Sequence, residues 1–300
     1  MRRIPLVLVA IALLCGCNGE REEPQGLGRI ALDFQPNAVH AGLYAGRADS
    51  LVVPGSSTDS LKLLAARRVE MAVVDIHDLG LARERGEDIV GVAALVQRPL
   101  AAVIARPGIE RPRDLEGKRV GVTGLPSDDA VLRAIVEHDG GDYASVKRTT
   151  IGFSAVPSLI AGRVDAVVAF WNAEGVALRQ RGVRTREFRV DDYGAPRYPE
   201  LVLATRGWTA RHRPIAIEAT LDSLRHATIV ALRDRGATIA KLVEASGADE
   251  QLMRAQLDAV APALLPPMRL DRPALEGWAR FDARFGILER PPDVDDAFRL

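Results

Sequence analysis

Short apolar segments alternate with amphipathic segments of helical spacing along most of this chain, and this alternation constrains its fold more than any other feature. The apolar segments are nearly continuous, as expected for parallel strands that are buried on both faces. Strands that are joined through helices predict an α/β fold with mainly parallel sheets. The predicted strands are residues 30–32, 51–53, 71–74, 89–92, 100–105, 119–122, 146–151, 166–169, 185–190 and 201–205.

Helical segments separate most of these strands, and only helices are predicted after the last one. We interpret the pattern as two α/β units followed by a helical C-terminal tail. Ligands of open α/β sheets bind beyond the carboxyl ends of the strands, so we expect the binding residues just after them. The predicted helices are residues 57–67, 76–84, 128–137, 156–161, 174–180, 215–233, 237–245, 250–260 and 273–284.

The chain opens with a charged start, Met1-Arg2-Arg3, and an apolar run over residues 4–14, which is the layout of a secretory signal. A membrane-spanning helix needs about 20 apolar residues, more than this run supplies. The run ends in Leu14-Cys15-Gly16-Cys17, which resembles the bacterial lipobox. We therefore expect a signal peptide over residues 1–16 and lipidation at Cys17; the alternative is an ordinary signal peptide with incidental cysteines.

The composition around and after this leader excludes several classes of protein. Residues 17–27 are largely polar and predict a flexible tether, so we expect an exported protein anchored to the cell membrane and facing the periplasm or the cell exterior. Both cysteines of the chain lie in the leader, and the mature body therefore has no disulfide, thiolate metal site or cysteine nucleophile. The 40 basic and 40 acidic residues balance, and we expect no nucleic-acid partner.

A long motif follows the first predicted strand. Residues 33–44 read Asp-Phe-Gln-Pro-Asn-Ala-Val-His-Ala-Gly-Leu-Tyr. They resemble the signature Asp-Trp-x-Pro-Asn-x-x-His-x-Gly-x-Tyr of the thiamine-pyrimidine-precursor family of periplasmic binding proteins. The resemblance covers residues 28–205 closely and the helical tail only in its general pattern. Further matches in the family's order are residues 55–57, 114–118, 121–124, 126–127, 162–166, 170–174 and 192–198.

The resemblance implies a type II periplasmic-binding-protein fold with two α/β lobes and two hinge crossovers, near Val103 and Val190. Lobe 1 would comprise residues 28–103 and 191–300, and lobe 2 residues 104–190. It also implies a monomeric solute-binding lipoprotein of an ATP-driven (ABC) importer, with a cognate permease and ATPase as partners. The ligand would be a small heteroaromatic molecule related to 4-amino-5-hydroxymethyl-2-methylpyrimidine, captured by closure of the lobes. Riboflavin, other heterocycles, sulfonate or nitrate as ligands, and a sensor lipoprotein without transport, are the alternatives.

A flat polar heterocycle needs an aromatic face for stacking and a carboxylate or amide to bind its edge. Phe34 and Trp171 are the candidates for stacking, one from each lobe, although Phe34 stands where the family has tryptophan and is otherwise read as a core residue. Glu174 is the candidate for an exocyclic amine, with Asn172 beside it; alternatively Glu174 only favours the start of a helix. The remaining candidates are equally compatible with capping, core or hinge roles; they are Asn37, His40, Tyr44, Ser57, Asp75, Ser127 and Tyr193.

An enzymatic role is the other class of function to weigh. A eukaryotic branch of the same superfamily makes the pyrimidine from its own residues, but that branch carries a cysteine-rich iron-binding stretch, and the mature body here lacks cysteine. No Ser-His-Asp arrangement, metal-ligand cluster or phosphate-binding loop stands out in the sequence. The cleft candidates are aromatic, amide, hydroxyl and acidic residues, which argues against an anionic ligand. We therefore expect a binding protein with no catalytic residue, cofactor or metal.

Overall fold

The structure is a computed structural model that describes residues 26–56 and 59–300. The predicted signal peptide, Cys17, most of the predicted tether and Ser57 lie outside the described residues. Within them, ten strands form: β1 (Ile30–Ala31), β2 (Leu51–Val52), β3 (Met71–Asp75), β4 (Ile89–Ala94), β5 (Ala101–Ala105), β6 (Arg119–Val122), β7 (Lys147–Thr150), β8 (Ala166–Phe170), β9 (Arg186–Arg189) and β10 (Leu201–Arg206).

Helices occupy the segments between the strands and the C-terminal part of the chain. In the described residues they are α1 (Ala41–Arg47), α2 (Asp59–Ala65), α3 (Ile76–Glu84), α4 (Pro126–His138), α5 (Ala155–Ile160), α6 (Glu174–Gln180), α7 (Gly207–His212), α8 (Pro214–Arg233), α9 (Arg235–Ser246), α10 (Glu250–Val260), α11 (Arg272–Phe285) and α12 (Val294–Ala297). Short 3-10 turns lie at Ala38–His40, Ala48–Ser50, Pro112–Leu115, Tyr143–Ser145, Val190–Asp192 and Ala261–Leu264.

The strands form two five-stranded sheets, which confirms the predicted α/β fold with two lobes. The first sheet has the order β2-β1-β3-β10-β4 and the second the order β7-β6-β8-β5-β9. Most strands of each sheet run in one direction, as the sequence predicts. However, β10 runs antiparallel to β3 and β4, and β5 runs antiparallel to β8 and β9. One reversed strand therefore lies inside each sheet.

Burial explains why the apolar segments became strands. The side chains of β5 and of the first four residues of β3 are buried, as expected for central strands covered on both faces. β7 is the exception: its sequence Lys-Arg-Thr-Thr is exposed throughout, and it lies at the edge of the second sheet. Charged and polar side chains at a sheet edge oppose pairing with another chain.

The chain passes between the two sheets twice. The first crossover (residues 95–100) joins β4 to β5, and the second crossover (residues 190–200) joins β9 to β10. The predicted crossing near Val103 is wrong by several residues, because the whole of β5 pairs within the second sheet. An apolar strand that continues after a crossover carries no sequence signal for the sheet it joins. β9 ends at Arg189, next to the crossing predicted near Val190.

The C-terminal helices are present as predicted, and they include two short ones, α7 and α12, that the sequence analysis did not identify. α8 packs against α1 so closely that a Cβ atom on Gly42 would lie 2.1 Å from Oγ1 of Thr228, so this glycine of the long motif serves helix packing. Trp278 on α11 is fully buried and contacts the ring of Phe298 edge-on at 5.7 Å. None of the helices in residues 26–56 and 59–300 combines the length and apolarity needed to cross a bilayer.

Candidate functional site

A cleft of about 190 Å³ lies between the two sheets. Its walls are the carboxyl ends of β1, β3, β6, β7 and β8 together with the amino ends of the reversed strands β5 and β10. Most of this cleft thus lies beyond the carboxyl ends of strands, where the sequence analysis expects the binding residues. Residues from lobe 1 that line the cleft are Asp33, Phe34, Asn37, Asp75, Asp78, Glu200 and Leu201, and those from lobe 2 include Ala101, Thr123, Leu125, Ser127, Asp128, Phe153, Phe170 and Glu174.

Two phenylalanine rings meet across this cleft. Phe34 follows β1 in lobe 1, and Phe153 follows β7 in lobe 2. Their ring centroids lie 4.9 Å apart and their planes are inclined by 26°, a stacked arrangement. Phe153 is 58% exposed although it is a large apolar side chain. The lobes thus present two aromatic faces to each other at the mouth of the cleft.

The turn that carries Phe34 is held by hydrogen bonds of Asp33, Asn37 and His40. The Asn37 side chain accepts a hydrogen bond from the N–H of Val39 (3.0 Å), and Nδ1 of His40 accepts one from the N–H of Asn37 (3.2 Å). The ring proton therefore sits on Nε2, which donates to the Asp33 carboxylate at 2.6 Å. His40 is fully buried and supports the cleft wall from behind, while Asn37 and Asp33 line it.

Glu174 lies in the cleft, and Trp171 does not. The Glu174 carboxylate accepts a hydrogen bond from the N–H of Phe170 (3.1 Å), and burial raises its pKa. Trp171 is buried against the first crossover: its Nε1 donates to the carbonyl of Pro99 (3.0 Å), and the guanidinium of Arg189 lies 4.2 Å from the ring centre. The stacking face predicted for Trp171 is thus covered by protein, and the neighbouring Phe170 lines the cleft instead.

Three other sequence candidates also lie away from the described cleft lining. Tyr44 is buried in the core of lobe 1, and Asn172 is buried beside Trp171. Tyr193 follows the second crossover's first turn and contacts Phe188 edge-on at 5.8 Å. Tyr44 therefore lies in the core, as its alternative interpretation stated, and Tyr193 packs within the second crossover, in line with the hinge role that was its alternative.

The start of α4 forms the wall of lobe 2. Asp128 accepts hydrogen bonds from the N–H groups of Thr123 (2.6 Å) and Gly124 (3.0 Å) and folds the loop onto the helix. Ser127 lines the cleft beside it. Oδ2 of Asp128 is thus occupied by this loop and fixes the shape of the wall, and both Ser127 and Asp128 line the cleft.

A buried ionic cluster lies beneath the floor of the cleft. Nδ1 of His77 donates to Asp282 (2.7 Å), and Nε2 lies 3.3 Å from the hydroxyl of Tyr198. Burial alone would lower the pKa of His77, but the carboxylate of Asp282, with Asp75 and Glu200 nearby, raises it to about 10. Burial raises the pKa of both Asp75 and Glu200. The cluster therefore holds an imidazolium among carboxyl groups.

The same cluster is the one grouping with metal-ligand geometry that the described part of the chain contains. Ligand atoms of Asp75, His77 and Glu200 lie within 4.8 Å of one another. Both nitrogens of His77 already contact Asp282 and Tyr198, so the ring would have to give up a hydrogen bond to bind a cation. Asp75 also caps α3 by accepting from the N–H of His77 (2.8 Å).

The lining is strongly acidic. It contains six carboxyl groups and, among the described residues, no lysine or arginine. The His40 ring lies against Asp33, and the His77 imidazolium lies below Asp75 and Glu200. Burial raises the pKa of Asp78 against the opposing charges of His77 and Arg85, and burial likewise raises the pKa of Glu174. Such a wall favours ligand groups that donate hydrogen bonds or carry positive charge.

The structure thus brings together five of the sequence candidates: Phe34, Asn37, Asp75, Ser127 and Glu174. Sequence reasoning missed Phe153, although an aromatic residue directly after a predicted strand was a usable signal. It also missed Glu200, which precedes a strand rather than following one. That position reaches the cleft only because β10 is reversed, and the sequence contained no sign of the reversal.

Comparisons with known proteins place this geometry in a family. Residues 41–236 match the family model described as NMT1/THI5 like. A formylaminopyrimidine-binding protein of Halalkalibacterium halodurans is 35% identical over 217 residues, which cover 67% of this chain and 66% of that protein. A relative from Haemophilus influenzae, named for thiamine biosynthesis, is 30% identical over 190 residues, 58% of this chain and 60% of that protein. The match thus spans just under two thirds of the length of these relatives.

Solved structures show the same fold. The periplasmic aliphatic sulphonate binding protein SsuA of Escherichia coli superposes with a TM-score of 0.77 over 92% of both chains, at 16% sequence identity. The periplasmic-binding-protein fold predicted from the sequence is thereby confirmed. At this identity the likeness concerns the fold alone.

Proposed function

The chain belongs to the NMT1/THI5-like family, and we propose that it is the solute-binding protein of an ABC importer that captures an aminopyrimidine related to formylaminopyrimidine. The observation that carries this proposal is the pair of facing rings, Phe34 and Phe153, above a carboxylate-lined cleft. The match to a formylaminopyrimidine-binding protein supports the choice of ligand.

The phenylalanine pair is suited to clamp one flat ring. Carbon atoms in contact lie about 3.5–4.0 Å apart, so a ring held between two others needs about 7 Å between the outer rings. The observed centroid distance of 4.9 Å is too short for this, and the lobes must move apart by about 2 Å to admit a ligand. Closure on the ligand then replaces a Phe–Phe contact by two Phe–ligand contacts, which biases the protein toward the closed form.

The acidic wall is suited to the edge of an aminopyrimidine. An exocyclic amine donates two hydrogen bonds, and a protonated ring nitrogen donates one more. Glu174 and Asp78 offer carboxylate oxygens, and Asn37 offers an amide, on the two sides of the cleft. Hydrogen bonds to a charged acceptor contribute about 1.5–3 kcal/mol each, so two of them fix the orientation of the ring as well as adding affinity.

The same wall argues against an anionic ligand. A sulfonate or nitrate is an anion, and six carboxyl groups without a lysine or arginine among the described lining residues would repel it. Riboflavin also offers a flat ring for stacking, but it carries a three-ring system with a long polar chain, and the titration below distinguishes it from the pyrimidine.

We further propose that the protein makes and breaks no bond and that the permease recognises its closed form. Export and lipid attachment at Cys17 are part of this proposal and rest on the leader sequence. An anchored, monomeric binding protein would deliver its ligand to a permease and ATPase in the same membrane.

Calorimetric titration of the full chain with Cys15→Ser and Cys17→Ser, called below the cysteine-free chain, tests the proposed ligand. The panel is 4-amino-5-hydroxymethyl-2-methylpyrimidine, its formylaminomethyl relative, thiamine, riboflavin and taurine. Saturable binding of a pyrimidine, weakened by Phe153→Ala and unaffected by Ile160→Ala, would support the proposal. Ile160 is a matched control because it is an exposed apolar side chain of the same lobe. Binding of taurine or riboflavin alone by the folded chain would overturn it.

A further inference from the structure

Glu200 connects the two crossovers of the hinge. It is the last residue of the second crossover, and its Oε2 accepts hydrogen bonds from the N–H groups of Leu100 (2.6 Å) and Ala101 (3.3 Å), at the end of the first. All these groups are buried. A buried N–H group that loses its acceptor keeps the full cost of its desolvation, so these hydrogen bonds resist any motion that separates the two segments.

The same residue is also fixed to lobe 1 and forms part of the cleft. The backbone carbonyl of Glu200 accepts from the N–H of Ile76 (3.0 Å) at the start of α3. The side chain reaches Ala101, the first residue of the strand that leads into lobe 2. Glu200 and Ala101 both line the cleft. Through its side chain and its backbone carbonyl, Glu200 therefore contacts the ligand cavity, lobe 1 and the entry to lobe 2.

We propose that Glu200 is the positioning residue that couples ligand occupancy to the angle between the lobes. This inference rests on the proposed function, in which a ligand occupies the cleft. A ligand that packs on the floor of the cleft holds the Glu200 carboxylate in place, and the carboxylate in turn holds the Leu100 and Ala101 N–H groups in the closed arrangement. Without that contact the two crossovers turn more freely about each other.

A second tie between the crossovers provides a control. Arg98 in the first crossover pairs with Asp191 in the second at 2.7 Å, beside the ring of Trp171. Neither residue is part of the described cleft lining. Loss of this ion pair loosens the hinge without changing the floor of the cleft. Loss of the Glu200 carboxylate changes both the hinge and the floor of the cleft.

The test is the distribution of distances between spin labels on the two lobes of the cysteine-free chain. Labels are attached through Ser223→Cys on α8 and Lys147→Cys on β7, both at exposed positions. The distribution is measured with and without 4-amino-5-hydroxymethyl-2-methylpyrimidine. The proteins compared are the labelled chain without a hinge substitution and its variants Glu200→Ala, Glu200→Gln and Asp191→Asn. Glutamine retains an oxygen that can accept from both N–H groups, whereas alanine retains none.

We expect a broader unliganded distribution for Glu200→Ala, no ligand-dependent shift to a single distance, and affinity about tenfold weaker. Glu200→Gln restores both the narrow distribution and the shift. Asp191→Asn broadens the unliganded distribution but keeps the shift. If Glu200→Ala changes neither the unliganded distribution nor the ligand-dependent shift, the inference is wrong.

Failure of the proposed function and failure of a variant to fold can both be distinguished from failure of this inference. If the cysteine-free chain without a hinge substitution binds no member of the ligand panel, the proposed function fails. The unliganded distance distributions then decide whether Glu200 holds the two crossovers together. If Glu200→Ala does not fold, judged by circular dichroism, Glu200→Asp takes its place, because its shorter side chain cannot reach both N–H groups. A normal shift in that variant counts against the inference.

Discussion

The rings of Phe34 and Phe153, one from each lobe, stack on each other across the cleft with their centroids 4.9 Å apart. Two apolar rings that meet beside carboxyl groups leave little room for water between them. In the proposed mechanism the lobes move apart, a flat heterocycle enters between the two rings, and closure then holds it there.

Replacing Phe153 should weaken ligand binding while leaving the fold intact. The side chain is 58% exposed, so Phe153→Ala should change the free energy of unfolding by about 0.5 kcal/mol or less. The lost stacking and burial should weaken pyrimidine binding by roughly 10- to 100-fold in calorimetric titration. Equal ligand affinities of Phe153→Ala and the control Ile160→Ala would contradict the proposal that Phe34 and Phe153 hold the ligand ring between them.

Glu174→Gln should lower the affinity for an aminopyrimidine by roughly tenfold or more, because a charged acceptor of the exocyclic amine becomes a neutral amide. Glu137→Gln is the matched control: this carboxylate also belongs to lobe 2, but it is exposed and outside the described cleft lining. Titration of both variants with the same pyrimidine measures the difference. An unchanged affinity of Glu174→Gln would remove Glu174 from the site.

Trp171 should matter for stability rather than for ligand contact. Trp171→Leu removes the hydrogen bond to Pro99 and the stacking of Arg189 on the ring, and we expect a loss of about 2–4 kcal/mol in urea denaturation. Ligand affinity of the folded fraction should change by less than about threefold, less than one kcal/mol. A Trp171→Leu protein of normal stability that binds no ligand would restore the role predicted from the sequence.

The buried imidazolium should make the protein less stable at alkaline pH. The pKa of His77 is raised from 6.5 to about 10, so its contribution to stability is fully present below about pH 6.5 and is lost as the pH rises through 10. One such group gives a slope of up to about 1.4 kcal/mol per pH unit in this window. Urea denaturation between pH 6.5 and 10 should show a smaller slope for His77→Gln than for the unchanged protein, and equal slopes would contradict the assignment.

Phe170 and Trp171 show how far the site could be predicted. The sequence places both residues at the end of a buried strand, and the family resemblance directs attention to the tryptophan. Phe170 is the last residue of β8 and lines the cleft, whereas Trp171 begins the turn that follows the strand and is buried away from it. Burial of Trp171 under Pro99 and Arg189 depends on the path of both crossovers, which no local pattern encodes.

Glu200 and Ala101 show a second reason for incomplete prediction. Apolar runs predict strands well, and the observed strands lie within a few residues of the predicted ones. The direction of a strand relative to its neighbours is a long-range property that periodicity does not contain. Because β5 and β10 are reversed, their first residues reach the cleft, whereas the sequence analysis searched only beyond the last residues of strands.

A crystal structure of the cysteine-free chain with 4-amino-5-hydroxymethyl-2-methylpyrimidine tests the central claim most directly. We predict that the pyrimidine ring lies between Phe34 and Phe153, with the two phenyl centroids about 7 Å apart, and that its amine contacts Glu174. A ligand bound elsewhere, with the two phenyl rings still stacked at 4.9 Å as they are here, would contradict it.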